Sequence, residues 1–409
     1  MLSLLVLRWY DYWSDPERCS DYSTLNDGYF VDLLDGPCSV GKLLPGEYEI
    51  YTIFIRRSGD LRRLHPQQLR SLLRGRNIAA WYFVWPSTSP SDGDGYVSER
   101  DFFALVRGME REGIRTCWPH TSTLYRELCG KLWIPQMCLS KEHRVPPTTR
   151  VHYADFAANG RRTAIAALRA LLKLRKTLWG HEDLVEAEFK GVVKLGFSWC
   201  GCDVLPFQGI SSLVTNLQKL FGSSASESTV CLVQEMIPGV VGEHRIVCFY
   251  DMAAARFRKE PVWMESTRPA TALHKYNMQS MDLTDFKVAG SVSMSPSAVA
   301  SRYFRGDSAA QRDAEQEAMR LADLWLSWFE TQAPEPPQCT RLDFLVAHRG
   351  EGKAEVWTCE VGECGASLCS IEVHGRNLAA LNSAIACDPT GRFPMPLPAE
   401  LPRNNGSKS

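Results

Sequence analysis

The spacing of apolar residues in the first third of the chain predicts short strands that alternate with amphipathic helices. Four apolar runs are predicted as strands, namely Leu2–Trp9, Tyr48–Ile55, 79–85 and 114–118. Helical spacing is found in residues 66–74 and 98–112, and the second stretch opens with the capping pattern Ser98-x-x-Asp101. Strands that alternate with helices favour an α/β unit with a mostly parallel sheet.

The remaining chain combines longer helical patterns with isolated apolar runs. Helices are predicted over residues 123–133 and 161–178, apolar runs cover residues 189–197 and 230–237, and an extended segment covers residues 145–149. A long helix is predicted to begin with the capping box Ser308-x-x-Gln311 and to end before Pro334. The Pro-rich residues 394–409 are predicted to be a disordered tail.

Two segments near the C-terminus are predicted to pair as a β-hairpin. In residues 341–346, strand alternation places Arg341 and Asp343 on one face. In residues 356–360, the same alternation places Thr358 and Glu360 on one face. A turn centred between residues 351 and 352 sets Asp343 directly opposite Glu360.

This pairing opposes two carboxylates, and the repulsion between them needs an explanation. Directly opposed residues have Cβ atoms about 4.5–5.5 Å apart, and like charges there destabilise a sheet. A divalent cation such as Mg²⁺ would remove the conflict, because it takes carboxylate oxygens together with substrate phosphates. Two alternatives stay open: Asp343 and Glu360 are solvent-exposed acids in a loosely specified register, or Arg341 on the same face neutralises them.

Two further segments have the composition of a phosphate-binding site and of a strand connection. Lys194 ends an apolar run and is followed by the small-residue stretch 196–202, which does not have the Walker pattern. Small residues let backbone N–H groups approach a phosphate, and the lysine adds a positive charge. Residues 233–239, Val-Gln-Glu-Met-Ile-Pro-Gly, and residues 242–247, Gly-Glu-His-Arg-Ile-Val, read as strand, turn and strand.

The order of these three pieces along the chain resembles the ATP-grasp superfamily, over roughly residues 120–375. The resemblance implies an ATP-grasp fold of two α+β subdomains, preceded by an N-terminal α/β Rossmann-like domain, so that the fold class is mixed α/β (α+β). The boundaries expected from it are 1–121 for the N-terminal domain, 122–238 for the central or lid subdomain and 239–393 for the C-terminal subdomain with the metal hairpin.

Most members of this superfamily use ATP and Mg²⁺ (or Mn²⁺) to activate a carboxylate as an acyl phosphate, which an amine then attacks. The resemblance therefore implies an ATP-dependent carboxylate–amine ligase whose partners are ATP, a small carboxylate and an amine. The residues that it places around the nucleotide are Lys131, Lys194, Gly196, Ser198, Gly201, Gln234, Glu235, Met236, Ile237 and Glu243. Those that it places at the metal are Asp343, Glu360 and Glu363.

Within these sets the resemblance gives each group a role. Lys194 would contact the nucleotide phosphates, with Lys131 as the second, upstream lysine, and residues 235–237 would be the hinge whose backbone meets adenine. Glu243 would lie near the ribose. Arg245 would lie near the transferred phosphoryl group, so Lys194 and Arg245 are the catalytic candidates.

One position departs from the family pattern. The superfamily commonly has Asn two residues after the metal-binding Glu, and this chain has Gly362 there, followed by Glu363. Glu363 would take over the ligand role, which is the interpretation favoured here. The alternative is that one metal position is lost, which would leave a non-catalytic protein that binds a nucleotide or a partner.

Composition and charge exclude several other classes of protein. The chain has 409 residues with 46 Lys+Arg and 47 Asp+Glu, and this balance argues against a protein that coats nucleic acid or an anionic membrane. The arginine-rich stretches 56–76 and 161–176 leave an RNA-associated protein as a less favoured alternative to the solvated faces of two helices. The longest apolar run, 78–85, is too short to cross a bilayer, and no secretory signal is recognised, so a cytoplasmic location is expected.

The cysteines and histidines suggest weaker candidate sites. The 14 cysteines are expected to be packed thiols, in preference to a zinc site built from Cys359, Cys364, Cys369 and His374 or from the Cys-Gly-Cys at residues 200–202. His120, His143 and His244 are candidates for substrate contact. The sequence does not identify the carboxylate, the amine or the oligomeric state.

Overall fold

The three sheets of the molecule are seen in a computed structural model of the chain. It describes residues 2–10, 23–25, 48–74, 77–87, 93–118, 120–181, 185–197, 203–224, 229–251, 254–263, 294–332 and 337–362. Within these ranges, none of the helices is both long and apolar enough to cross a membrane.

The N-terminal sheet is mostly parallel and has its first strand near the centre. Its strands are β1 (Leu2–Trp9), β2 (Ser23–Leu25), β3 (Tyr48–Ile55), β4 (Asn77–Phe83) and β5 (Arg115–Trp118), in the order β2-β3-β1-β4-β5. Only β2 pairs in an antiparallel sense. The helices of this part are α1 (Ser58–Arg62), α2 (Pro66–Leu72) and α3 (Glu99–Arg111). The Ser98 hydroxyl accepts the Asp101 amide at 3.1 Å, so the predicted cap of α3 is confirmed.

The central sheet is antiparallel and carries two helices. Its strands are β6 (Thr148–His152), β7 (Lys190–Leu195), β8 (Val204–Gln208) and β9 (Val230–Glu235), in the order β6-β9-β7-β8. The helices that precede it are α4 (Ser122–Cys129) and α5 (Ile134–Met137), and those that pack on it are α6 (Tyr153–Trp179) and α7 (Gly209–Ser224). The predicted single helix over residues 123–133 is therefore wrong, because Gly130 caps α4 and Lys131 takes a positive φ of 53°.

The C-terminal sheet is also antiparallel, and one long helix packs against it. Its strands are β10 (Val240–Asp251), β11 (Arg256–Trp263), β12 (Cys339–Gly350) and β13 (Lys353–Gly362), in the order β11-β10-β12-β13. The helices are α8 (Pro296–Phe304) and α9 (Ser308–Gln332). One mostly parallel sheet followed by two antiparallel sheets confirms the predicted α/β (α+β) fold class.

The N-terminal cap of α9 lies one residue before the predicted one. The Asp307 carboxylate accepts the backbone amides of Ala309 and Ala310, and its second oxygen accepts the Gly352 amide of the β12–β13 turn. These hydrogen bonds hold the pKa of Asp307 at about 2. Asp307, and not Ser308, is therefore the cap, and the Gln311 side chain donates to Glu315 instead of closing a capping box.

Two hydrophobic cores separate the helices from the cleft between the central and C-terminal sheets. One core fills the space between the central sheet and α6 and α7, and the other joins the C-terminal sheet to α9. A small third cluster connects the two sheets, and its buried members are Val192, Ile237, Leu345 and Trp357. The faces of β7 and β12 that carry Val192 and Leu345 therefore look toward each other across the cleft.

Candidate functional site

A row of charged residues crosses the C-terminal sheet on the face that looks toward the central sheet. Arg245 on β10 is the direct partner of Asp343 on β12, and Asp343 is the direct partner of Glu360 on β13. Asp343 is two residues from Leu345, so both side chains lie on the cleft face. The predicted opposition of Asp343 and Glu360 is therefore confirmed.

Between residues 344 and 348 the hairpin register is offset by one residue from the predicted one. A bulge at Cys359 and a second irregularity at Arg349 shift the pairing in opposite directions, so that the offset is confined to the residues between them. Thr358 consequently pairs with Phe344 and points to the core, where it accepts a hydrogen bond from the indole N–H of Trp325 at 3.0 Å. The predicted placement of Thr358 on the same face as Glu360 is wrong.

Asp343 is fully buried, and two arginines balance its charge. The Arg341 guanidinium donates to both carboxylate oxygens at 2.8 Å, from Nε to Oδ1 and from Nη2 to Oδ2. Arg245 Nε lies 3.5 Å from Oδ2. Arg341 Nη2 also lies 3.9 Å from Glu360 Oε2. Arg341 thus neutralises the acid pair, as one of the sequence alternatives allowed, and it is a site residue that the sequence-based assignment missed.

Glu243 extends this charged surface along β10. Its Oε1 accepts a hydrogen bond from Arg245 Nε at 2.8 Å, and both side chains are about nine-tenths buried. Glu243 pairs directly with Leu345, which places it beside the contact between the two sheets. Five charged residues therefore lie together on one sheet face: Glu243, Arg245, Arg341, Asp343 and Glu360.

The two predicted phosphate-binding lysines come together at the end of β7. Lys194 is 7 % exposed and, two residues beyond Val192 on the strand, shares its cleft-facing side. Lys131 Nζ donates to the Leu195 carbonyl at 3.2 Å, which the positive φ of Lys131 makes possible. Burial raises the pKa of the neighbouring Asp203, and the charge of Lys131 partly opposes that rise. A pair of buried cations therefore lies at this end of the cleft.

The predicted hinge lies at the opposite end of the cleft, and several of its polar groups are already used. The Glu235 amide donates to Pro147 O at 2.9 Å, and the Met236 amide donates to Lys190 O at 3.1 Å. The Gln234 amide side chain donates to Thr148 Oγ1 at 2.9 Å, which indicates a structural role for it. The amides of Glu235 and Met236 are therefore already used within the fold.

The Glu235 carboxylate has one oxygen bonded and one without a partner. Oε1 accepts from Arg175 Nε at 2.8 Å, whereas Oε2 is buried and has no hydrogen-bond partner in the described part of the chain. Burial raises the pKa of this carboxyl group, although Arg175 opposes the shift. Arg175 belongs to the basic stretch 161–176, so one of its arginines forms a part-buried ion pair and is not a freely solvated charge.

Several predicted site residues lie outside the described residues or have only backbone roles. Ser198, Gly201 and Glu363 are outside them, as are the cysteines at 200 and 202 and the zinc candidates beyond residue 362. At Gly196, a Cβ would lie 2.6 Å from Gly130 O, so the absence of a side chain permits close approach of two backbone segments. Gly362 contributes its carbonyl oxygen, which accepts the Thr340 hydroxyl at 2.7 Å.

The described cysteines and two of the three candidate histidines belong to packing. Of the cysteines in the described part of the chain, five are buried and Cys359 is half-buried. Among the described residues, no group of three or more His, Cys, Asp or Glu side chains is placed to hold a metal. His143 packs on Trp325 at 4.8 Å, and His244 packs on Trp263 at 4.5 Å, both as ring-centroid distances.

The burial of His244 gives a testable dependence of stability on pH. Burial lowers its pKa from 6.5 to about 4, so the unfolded chain binds a proton that the folded chain excludes. The stability contribution is complete above pH 6.5 and is lost as the pH falls toward 4, at about 1.4 kcal/mol per pH unit. Denaturant unfolding across this range should show that His244→Phe reduces the slope by about that amount.

The wild-type chain, measured at the same pH values, is the control. An unchanged slope in His244→Phe would contradict the burial of a neutral imidazole at this position.

Comparisons with known proteins give structural similarities at low sequence identity. No family model matches the chain, and no curated protein matches it. The solved structures that are similar include the D-cycloserine synthetase DcsG (TM-score 0.47, 16 % identity, 94 % of this chain and 99 % of that one). VanG D-Ala:D-Ser ligase from Enterococcus faecalis gives a TM-score of 0.49 with 11 % identity, covering 94 % and 98 %. D-alanyl-alanine synthetase A from Vibrio cholerae gives 0.46 with 11 % identity, covering 93 % of both chains. All three are ATP-grasp enzymes, the superfamily that the sequence resembles.

Proposed function

We propose that this chain is an ATP- and Mg²⁺-dependent ligase that activates a carboxylate as an acyl phosphate and joins it to an amine. The observation that carries the proposal is the charged row of Arg245, Asp343 and Glu360, which faces the central sheet that carries Lys194. Arg245 and Asp343 are buried, and Glu360 is partly exposed. Burying several ionisable groups in one cleft is costly for stability, and such groups are concentrated at functional sites.

The two ends of the cleft differ in a way that suits an elongated nucleotide. The hinge end has Met236 bonded to Lys190 at the start of β7, and the far end has Lys194, four residues along the same strand. This separation is about 13 Å at 3.3 Å per residue. We place the base at the hinge and the phosphates at the far end near Lys194 and Lys131. The ribose then lies near Glu243.

The residues at the far end fit a magnesium ion that is shared with phosphates. Asp343 and Glu360 are opposed oxygen donors, and Mg²⁺ is usually held by one or two carboxylates together with substrate phosphates. When bound there, the ion would supply charge neutralisation at the β- and γ-phosphates. Mn²⁺ has the same ligand preference.

The chain's own cations would then carry the electrostatic part of the reaction. Transfer of the γ-phosphoryl group to a carboxylate brings anions together, so positioning and positive charge supply most of the catalysis. Lys194 would neutralise the nucleotide phosphates. Arg245 would face the transferred group, and Arg341, whose guanidinium is held by Asp343 at 2.8 Å, lies close enough to share that role.

A non-catalytic nucleotide-binding protein is the second candidate, and one contact favours it. The bidentate ion pair with Arg341 occupies both oxygens of Asp343, so a metal ion would have to compete with a guanidinium. Under this alternative the chain binds ATP and releases no ADP. The ligase is favoured because Glu360 is 42 % exposed and therefore reachable from the cleft.

A screen for ADP release over pairs of carboxylates and amines tests the proposed function. With ATP and Mg²⁺, at least one pair should give ADP release that depends on both compounds. ATP binding with no ADP release from any pair would support the second candidate, and no ATP binding would contradict both.

We also propose a cytoplasmic location for the protein. The proposed domain boundaries lie at residues 121, 238 and 393, so that the cleft lies between the units 122–238 and 239–393.

A further inference from the structure

His120 lies at the carboxyl edge of the parallel N-terminal sheet. It follows β5 by two residues, and β5 runs parallel to β4 and β1, so the ends of these strands meet at the same edge. The order β2-β3-β1-β4-β5 reverses direction at β1, because the chain continues first to one side of β1 and then to the other. Ligands of open parallel sheets bind at the carboxyl edge near such a reversal.

The polar atoms of His120 are buried without the hydrogen bonds that burial normally requires. The side chain is 2 % exposed, and within the described part of the chain neither ring nitrogen has a hydrogen-bond partner. The ring packs 6.4 Å from that of Tyr125. Burial lowers its pKa to about 3, so the imidazole is neutral and offers one donor and one acceptor. Buried polar groups that lack partners are uncommon and call for an explanation.

His244 shows that burial alone does not explain His120. His244 also lacks hydrogen-bond partners among the described residues, but it lies on the core face of β10, opposite Phe344, and its ring packs closely on Trp263. It belongs to a hydrophobic core. His120 instead follows β5 by two residues, at the edge where parallel sheets bind ligands, which makes it the one of the two that is placed for a substrate.

A continuous set of contacts joins this edge to the far end of the cleft. Helix α4 begins two residues after His120, and Lys131 follows its last turn. Tyr125 of α4 contacts Phe103, which in turn contacts Phe197 beyond the end of β7, with ring centroids 6.0 Å apart in each case. The same helix contacts β13, the strand that carries Glu360. These contacts connect the carboxyl edge of the N-terminal sheet to the far end of the cleft through buried, packed rings.

We propose that His120 binds the amine substrate, and that its unprotonated ring nitrogen accepts a hydrogen bond from an N–H of that substrate. The inference rests on the proposed ligase function and adds the place and the chemistry of the second substrate.

The choice of an amine follows from the polar groups at the far end of the cleft and at His120. The described cations of the far end, Lys131, Lys194, Arg245 and Arg341, have only donors and suit the phosphates and the carboxylate. An amine needs an acceptor for its N–H groups. A carboxylate acceptor would favour the charged ammonium form, which has no lone pair for attack, whereas a neutral imidazole binds the amine and leaves it reactive.

The test is direct observation of the His120 ring by nitrogen NMR in the full chain labelled with ¹⁵N-histidine. His120→Gln identifies the His120 signals by their loss. The probes are Mg²⁺ with the non-hydrolysable ATP analogue AMP-PNP, followed by the standard amino acids and simple diamines, added singly at millimolar concentration. We expect that at least one amine moves the His120 signals and leaves those of His244 in place.

Kinetics with any amine that supports ADP release supply the second readout. His120→Leu should raise the KM for the amine about tenfold or more and leave the KM for ATP unchanged, and His120→Gln, which keeps an acceptor, should recover part of the loss. His244→Gln is the matched control and should change neither KM. If the nucleotide binds but no probe moves the His120 signals, the inference is overturned and the ligase proposal stands. If the wild-type chain does not bind the nucleotide, both are overturned.

Discussion

Replacement of Asp343 by asparagine is expected to lower ADP release by at least about 10²–10³-fold. Asparagine keeps the size of the side chain and removes the charge that pairs with Arg341 and that we propose for the metal. ATP binding should persist in the variant, because Lys194 and the hinge are unchanged. Steady-state ADP release and calorimetric ATP binding, both with Mg²⁺, separate the two effects.

Asp251 provides a matched control for this change. It is also a buried aspartate on the C-terminal sheet, 2 % exposed and paired with Arg258 at 2.7 Å. It is the last residue of β10, away from the hinge and outside the charged row. Breaking a buried ion pair costs about 3–5 kcal/mol of folding stability, and the loss at Asp251 should be smaller because the Arg258 side chain is 38 % exposed. Asp251→Asn should therefore lose stability and keep ADP release per folded molecule, and equal losses of activity in both variants would contradict a specific role for Asp343.

Replacement of Lys194 by methionine is expected to weaken ATP binding by about 30–150-fold. A charge-assisted hydrogen bond to phosphate contributes about 2–3 kcal/mol, and each 1.4 kcal/mol of binding free energy changes the dissociation constant about tenfold. Methionine keeps the length of the side chain and fits the partly apolar face that Val192 shares. Isothermal titration of the folded variant with ATP and Mg²⁺ measures the change.

Lys190 on the same strand is the control for Lys194. Its side chain is exposed at the start of β7, near the hinge, and Lys190→Met should leave the affinity for ATP within about threefold of the wild type. If Lys194→Met binds ATP as tightly as Lys190→Met does, the phosphates do not lie at the end of β7.

The central pairing of the site was predictable from sequence because strand alternation and a turn fix it locally. The opposition of Asp343 and Glu360 needed only the position of the turn. The bulge at Cys359 leaves no mark in the pattern of apolar residues, so the face of Thr358 was assigned incorrectly while Glu360, beyond the bulge, was assigned correctly. The two irregularities cancel. The pair of Asp343 and Glu360, which lies far from the turn, was therefore predicted correctly, although pairs nearer the turn were offset by one residue.

Features that depend on burial or on unusual backbone geometry were not predictable. Gly130 marks the end of α4, but Lys131 takes a left-handed conformation without being glycine, and no residue type indicates that. The cap of α9 was placed at Ser308 because serine and aspartate are both good caps, and only the geometry selects Asp307. Arg341 alternates with Asp343 in the sequence, but their bidentate ion pair is determined by the enclosed space between two sheets.

The most direct test of the central claim follows the oxygen atoms of the carboxylate. When a carboxylate attacks the γ-phosphorus of ATP and an amine then displaces phosphate, one carboxylate oxygen leaves with the phosphate. With an ¹⁸O-labelled carboxylate, ATP, Mg²⁺ and the amine that gives ADP release, the account predicts one labelled oxygen in each inorganic phosphate formed, in equal amount to ADP and amide. Unlabelled phosphate, or formation of AMP and pyrophosphate in place of ADP, would contradict it.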